Sequence, residues 1–124
     1  MKKTLATIAL ALTAVFGLAA CAAPAAEPTI AVTADTVVVD VRTSGEYDAG
    51  HLEDAVNIDV QSPDFDSRIA ELPKDGEYIV YCASGNRSAS AAARMESLGF
   101  TNVIDAGGIS EAGAATGLET VTAP

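Results

Sequence analysis

From Ile30 onward, short β-branched runs alternate with stretches whose apolar residues recur at helical spacing. Val37-Val38-Val39 is apolar at consecutive positions and ends in Asp40, the pattern of a strand covered on both faces. Thr43-Ser44-Gly45-Glu46 has the spacing of a capping box and predicts a short helix to Ala49, ended by Gly50. Val56-Asn57-Ile58 predicts a second short strand. Pro63 is placed to open a helix through Leu72, with Phe65, Ile69 and Leu72 on one face and Pro73 just beyond. Lys74-Asp75-Gly76 is turn chemistry, and Tyr78-Ile79-Val80-Tyr81 is the most strand-like segment, delivering Cys82 at its end. An Ala-rich stretch from about Arg87 to Leu98 predicts the longest helix, stopped by Gly99. Val103-Ile104 predicts another strand, and Ile109 to Ala115 a weak, Gly-interrupted final helix. No internal repeat is visible.

Strands alternating with helices imply an α/β domain: a small, mostly parallel sheet with helices on both faces. Ligands in such folds sit outside the carboxyl ends of the strands, which is where Cys82 is expected. A chain of 124 residues has room for one domain of this kind.

The residues before Ile30 read differently. Met1-Lys2-Lys3 is a short basic start, followed by an apolar run from Leu5 to Ala20 that is marginal as a membrane span. Its end, Leu18-Ala19-Ala20-Cys21, resembles the lipobox of bacterial lipoproteins. That resemblance implies a signal peptide over 1–20, lipidation at Cys21, and a chain exported and lipid-anchored to the bacterial cell envelope. Residues 21–29, small and Pro-containing, are expected to be a tether, with the domain spanning 30–124. Lipidation would leave Cys82 as the sole thiol in an oxidising compartment. Loss of Lys2 and Lys3 would make the remainder more acidic, so membrane attachment would rest on acyl chains and not on a basic patch.

Composition narrows the function. Apolar residues make up 49 % and charged residues 19 %, a balance that suits a globular domain and excludes a disordered chain. Seven basic against 17 acidic residues leave a formal net charge of −10. That charge supplies no field to attract nucleic acid, and with no tryptophan and 5 % aromatics a base-stacking surface is scarce. No nucleic-acid partner is expected. Two cysteines and one histidine cannot provide a four-ligand zinc site of those types.

The segment Cys82-Ala83-Ser84-Gly85-Asn86-Arg87-Ser88 joins the central strand to a helix N-terminus. Gly85 takes positive φ freely and Asn86 tolerates it, so successive N–H groups can turn inward as an anion-binding nest. The following helix adds its unpaired first-turn N–H groups and the positive end of its dipole. A cysteine facing that cradle is expected to be substantially thiolate. Arg87 would present a charged donor fork to an oxyanion, and the Ser84 and Ser88 hydroxyls would donate as well.

At these residues the chain resembles the single-domain rhodanese-like sulfurtransferases, over about Thr36 to Gly117. The motifs stand in the family's order: Asp40-Val41-Arg42, Glu46-Tyr47, Gly50-His51-Leu52, Ala55-Val56-Asn57-Ile58, the loop from Cys82 to Ser88, and Gly107-Gly108. The resemblance implies a catalytic Cys82 that takes sulfur from a small anionic donor, holds it as a persulfide, and passes it to a thiol or cyanide-like acceptor. It implies no cofactor. Related phosphatases and arsenate reductases use a C-x5-R loop, and the shorter C-x4-R form here favours sulfur transfer. Two alternatives from other classes stay open: a non-catalytic or redox-responsive surface module that binds sulfur species or oxyanions, and an oxyanion reductase.

Two departures stand out. Ala83 occupies a position where many thiosulfate-using members carry a basic residue, and Ala112 lies near a common tryptophan, which would leave the last helix weakly anchored. Asp40 and Arg42, at the end of the neighbouring strand, are expected to support the loop from behind. His51 is expected to be structural, as the Gly-His motif is in the resembling family. Glu53, Asp54, Asp64 and Asp66 have no calcium-loop spacing and read as capping and dipole chemistry, so no metal site is expected. Arg94 and Glu96 read as the solvated face of the long helix.

Overall fold

The β-branched runs pair side by side in the centre of the molecule. The computed structural model describes residues 28–122. In chain order its elements are β1 (Thr36–Asp40), α1 (Ser44–Ala49), β2 (His51–Leu52), β3 (Val56–Asn57), α2 (Phe65–Ala70) and β4 (Glu77–Cys82). These are followed by α3 (Asn86–Ser97), β5 (Val103–Gly108), α4 (Ile109–Thr116) and β6 (Thr120–Val121). The main sheet has the order β3-β1-β4-β5 and every pairing in it is parallel. The expected α/β class, a mostly parallel sheet with helices on both faces, is the observed one.

Strand alternation divides the core in two. Val39, Val41, Val80 and Cys82 face one side, against Phe65 and Ile69 of α2 and Ala91, Ala92 and Met95 of α3. Val38, Ile79, Tyr81 and Ala106 face the other, where Tyr47 of α1 and Ile109 and Ala112 of α4 pack. A sheet covered twice explains why Val37-Val38-Val39 and Ile79-Val80-Tyr81 are apolar without alternation.

The capping box forms in full: the Thr43 side chain accepts from the Glu46 N–H, and the Glu46 carboxylate accepts from the Thr43 N–H. Elsewhere the elements depart from expectation. The second helix starts at Phe65, not Pro63, and ends at Ala70, because the chain through Gln61–Asp64 is held in turns by Asp59 and Ser62. The fifth strand runs to Gly108, well past Ile104. Its polar second half lies on the sheet edge, where Asp105 is exposed, and an extra residue relative to β4 makes a bulge with Gly107 at φ +78°. The antiparallel pair β2–β6 was not expected at all. Each of its strands is only two residues long, too short for any periodicity.

The expected signal peptide and Cys21 lie outside the described residues. The end of the expected tether does not hang free: the Thr29 and Ile30 N–H groups both donate to the Ala115 carbonyl at 2.8 Å. Ala112 does not loosen α4, since its small side chain is fully buried among Leu52, Tyr81 and Ala106 and lets the helix lie close to the sheet.

Candidate active site

Cys82 closes β4, an interior strand, and its side chain is 0 % exposed. The chain then leaves the sheet through exposed Ala83 and Ser84, turns at Gly85 (φ +102°, ψ −17°), and enters α3 at Asn86. The left-handed conformation at Gly85 swings its N–H back onto Cys82 Sγ at 2.9 Å. Ser88 Oγ stands 3.6 Å from the sulfur, and the Ser84 and Ser88 amides add to the stabilisation of its charged form. Ser88 Oγ is itself anchored, 3.0 Å from the Gly85 carbonyl and 3.4 Å from that of Gly107.

Two effects oppose each other at the thiol. Burial pushes its pKa up, while the Ser88 hydroxyl and then the Ser88, Gly85 and Ser84 amides pull it down by bonding to the charged form. The hydrogen bonds win, and Cys82 lies below the ordinary thiol value. The sulfur is therefore both covered and activated.

The glycine pair at the end of β5 forms the backing of this loop. A Cβ on Gly108 would stand 2.6 Å from the Ala83 carbonyl oxygen, so no side chain fits there while the loop keeps its place. A Cβ on Gly85 would come within 3.6 Å of Gly107 Cα.

The structure places the expected site residues unevenly. Cys82, Gly85 and Ser88 converge as anticipated, and Ser84 contributes its amide. Ala83 is an exposed loop residue and Asn86 the exposed first residue of α3. Asn86 does not share the left-handed turn; Gly85 makes it alone, which lets Asn86 begin the helix with ordinary φ. Arg87 departs further. Its guanidinium fork is not open to an oxyanion but grips Glu46, Nη1 to Oε2 at 2.8 Å and Nη2 to Oε1 at 2.9 Å. The Arg87 guanidinium, with the bonds from Thr43, lowers the Glu46 carboxyl to about 2. In the sequence Glu46 is a capping residue and part of the Glu46-Tyr47 motif, but its pairing with Arg87 is not legible there, because nothing local in a sequence pairs residues 41 positions apart.

Asp40 and Arg42 form a buried pair of their own. Arg42 Nη2 lies 2.7 Å from Asp40 Oδ2 and 2.6 Å from the Gly50 carbonyl, which accepts from it. Tyr81 Oη donates to Asp40 Oδ2 at 2.8 Å and accepts from the Leu52 N–H at 3.0 Å. None of these bonds reaches residues 83–88. The network ends at Tyr81, so its support of the loop is through the residue preceding Cys82.

The remaining candidates resolve into structure. His51 stacks on Tyr47 with centroids 3.7 Å apart, and its Nδ1 lies 2.9 Å from the Tyr47 carbonyl near the end of α1. Arg94 is more than solvated surface: it pairs with Asp66 at 2.6 Å and donates to the Val60 carbonyl at 2.9 Å, tying α3 to α2. Asp64 precedes α2 without capping it and bonds Ser62 instead, while Glu53 accepts from the Glu119 N–H.

A family model for the rhodanese-like domain matches residues 27–115. The chain belongs to the rhodanese-like domain family. A sulfurtransferase of Allochromatium vinosum is 35 % identical over 76 residues, covering 61 % of this chain and 69 % of that protein. The thiosulfate sulfurtransferase GlpE of Pseudomonas entomophila is 42 % identical over 84 residues, covering 65 % and 75 %. A tRNA uridine(34) hydroxylase of Photorhabdus laumondii is 40 % identical over 84 residues, or 62 % of this chain but only 23 % of that protein. Among solved structures, the Alr3790 protein of Anabaena sp. superposes with a TM-score of 0.64 at 26 % identity, covering 73 % of this chain and 80 % of that one. The matched residues of this rhodanese-like domain include β4, the loop after it and α3.

Proposed function

We propose that this rhodanese-like domain is a sulfurtransferase, with Cys82 as the nucleophile. The thiolate attacks the sulfane sulfur of a small sulfur-containing anion, thiosulfate or a related donor, and the donor's sulfur–sulfur bond breaks. The leaving group departs with the electron pair, and Cys82 retains the sulfur as an anionic persulfide. A thiol or cyanide-like acceptor then removes it and restores the thiolate. The observation that carries this reading is the Gly85 N–H on Cys82 Sγ at 2.9 Å with Ser88 Oγ 3.6 Å away, around a thiol whose charged form is favoured. The same donors that stabilise a thiolate stabilise the persulfide anion.

The two sulfurtransferase relatives support this class of reaction. The tRNA hydroxylase is a far longer protein, and the formal charge of −10 here does not suit a polynucleotide substrate. A second reading, a redox-responsive or binding module without turnover, is favoured by one feature: Cys82 is fully covered, so a donor must displace part of the loop to reach it.

Intact mass of the full chain, before and after thiosulfate or a thiosulfonate and then cyanide, separates the two. Turnover predicts a gain of about one sulfur atom that cyanide removes as thiocyanate, and no gain in Cys82→Ser. A folded protein with a free thiol that gains no sulfur from any donor would leave the binding module.

For localisation, the reading from Leu18-Ala19-Ala20-Cys21 is an exported, lipid-anchored chain. In a bacterial host Cys21→Ser is expected to shift the protein from the membrane fraction; unchanged membrane association in that variant counts against the anchor.

A further inference from the structure

Sulfane donors built on a sulfonyl group carry negative charge, and thiosulfate is a dianion. Among residues 82–88 the sole cation is Arg87, and both arms of its fork are occupied by Glu46. The bidentate arrangement uses the guanidinium in the geometry that an oxyanion would otherwise claim. Glu46 is itself fixed, accepting from the Thr43 N–H and hydroxyl at 3.0 Å each. Asp59 adds its negative charge to the surroundings of Arg87. Across the loop, Asp105 accepts from the Gly107 N–H at 3.0 Å, and the Glu111 carboxylate lies over Gly107, the residue that backs Gly85.

We infer that Glu46 is a specificity-determining residue: by holding Arg87 it disfavours dianionic donors and directs Cys82 toward sulfane sulfur carried with little net negative charge. This rests on the sulfur-transfer reading above and narrows its donor. The chemistry is common to all such donors. Cys82–S⁻ attacks the terminal sulfur, the bond from that sulfur to the sulfonyl sulfur breaks, and the electron pair leaves on sulfite or a sulfinate. Charge is conserved, since one thiolate is replaced by one persulfide anion and the donor's charge departs with the leaving group.

Three donors with the same reacting bond test it: thiosulfate (dianion), methanethiosulfonate (monoanion) and 2-aminoethanethiosulfonate (zwitterion). The full chain is compared with Glu46→Gln, which keeps a capping-box side chain at that position but removes its charge. The expected wild-type order of kcat/KM rises from dianion to zwitterion. In Glu46→Gln the thiosulfate value rises about tenfold through KM, the size expected for one unit of charge a few ångströms away under water-like screening, while the zwitterion value stays unchanged. Glu96→Gln, with the same change in net charge on the exposed end of α3, is expected to leave the order as in wild type. An equal fall in kcat for all three donors in Glu46→Gln would make the ion pair a brace and overturn the inference, as would a wild type that already prefers thiosulfate. Absence of persulfide from every donor in the wild type would overturn the sulfur-transfer reading and this inference with it.

Discussion

A thiol with no exposed surface normally resists ionisation, and Cys82 departs from that rule because of Ser88 more than any other residue. In the thiol form the Ser88 hydroxyl donates to the Gly85 carbonyl and accepts from Cys82 Sγ at 3.6 Å; once the sulfur is a thiolate, the hydroxyl can turn its one proton from the carbonyl to the sulfur beside it. The sign follows directly: bonding to the charged form lowers the pKa, so persulfide formation rises with pH through a midpoint lowered from that of an ordinary thiol. Ser88→Ala is expected to move that midpoint upward, measured by the ultraviolet absorbance of the thiolate across pH. Losing one hydrogen bond of about 1 kcal/mol corresponds to a rate roughly fivefold lower at neutral pH. An unmoved midpoint would assign the lowering to the backbone amides alone.

At the scale of elements, the working unit is β4, the loop and α3, leaning on the end of β5. The register slip between Val80 and Cys82 brings Gly108 opposite Cys82, directly under the Ala83 carbonyl. Gly108 has φ −73°, a value any residue adopts, so the need for glycine there is spatial and not conformational. Gly108→Ala is therefore expected to push the loop outward and cut sulfur uptake by Cys82 about tenfold or more, as misplacement by an ångström does in active sites. Thermal unfolding should change little by comparison. Stability lost in full proportion to activity would show that the clash is absorbed by the sheet instead.

At the scale of the molecule, Asp40 is the junction. Its carboxylate holds Arg42 and Tyr81, and through them Gly50 and Leu52, so one buried charge ties β1, β4 and β2 together. Asp40→Ala leaves the Arg42 guanidinium buried without its partner, which costs about 3–5 kcal/mol. Chemical denaturation should show a loss of that order. Persulfide formation in the fraction still folded should persist, because no bond of this network reaches residues 83–88; its complete loss would make Asp40 part of the reacting site.

Much of this was legible in the chain alone. The β-branched runs, the capping box at Thr43–Glu46 and the Ala-rich stretch specify their elements by local sterics and periodicity, and both are properties of neighbouring residues. The order of motifs likewise pointed to Cys82, Gly85 and Ser88, because a strand, a turn and a helix start are all written within seven residues. What no local pattern contains is a partner far along the chain. The β2–β6 pair, the bulge that brings Gly108 beneath Ala83, and the Arg87–Glu46 ion pair all join residues distant in sequence. Sequence determined that a thiol would stand at a strand end before a helix. Only packing decided which charge lies beside it, because the carboxylate that claims Arg87 arrives on a different helix, carried there by the closing of the sheet.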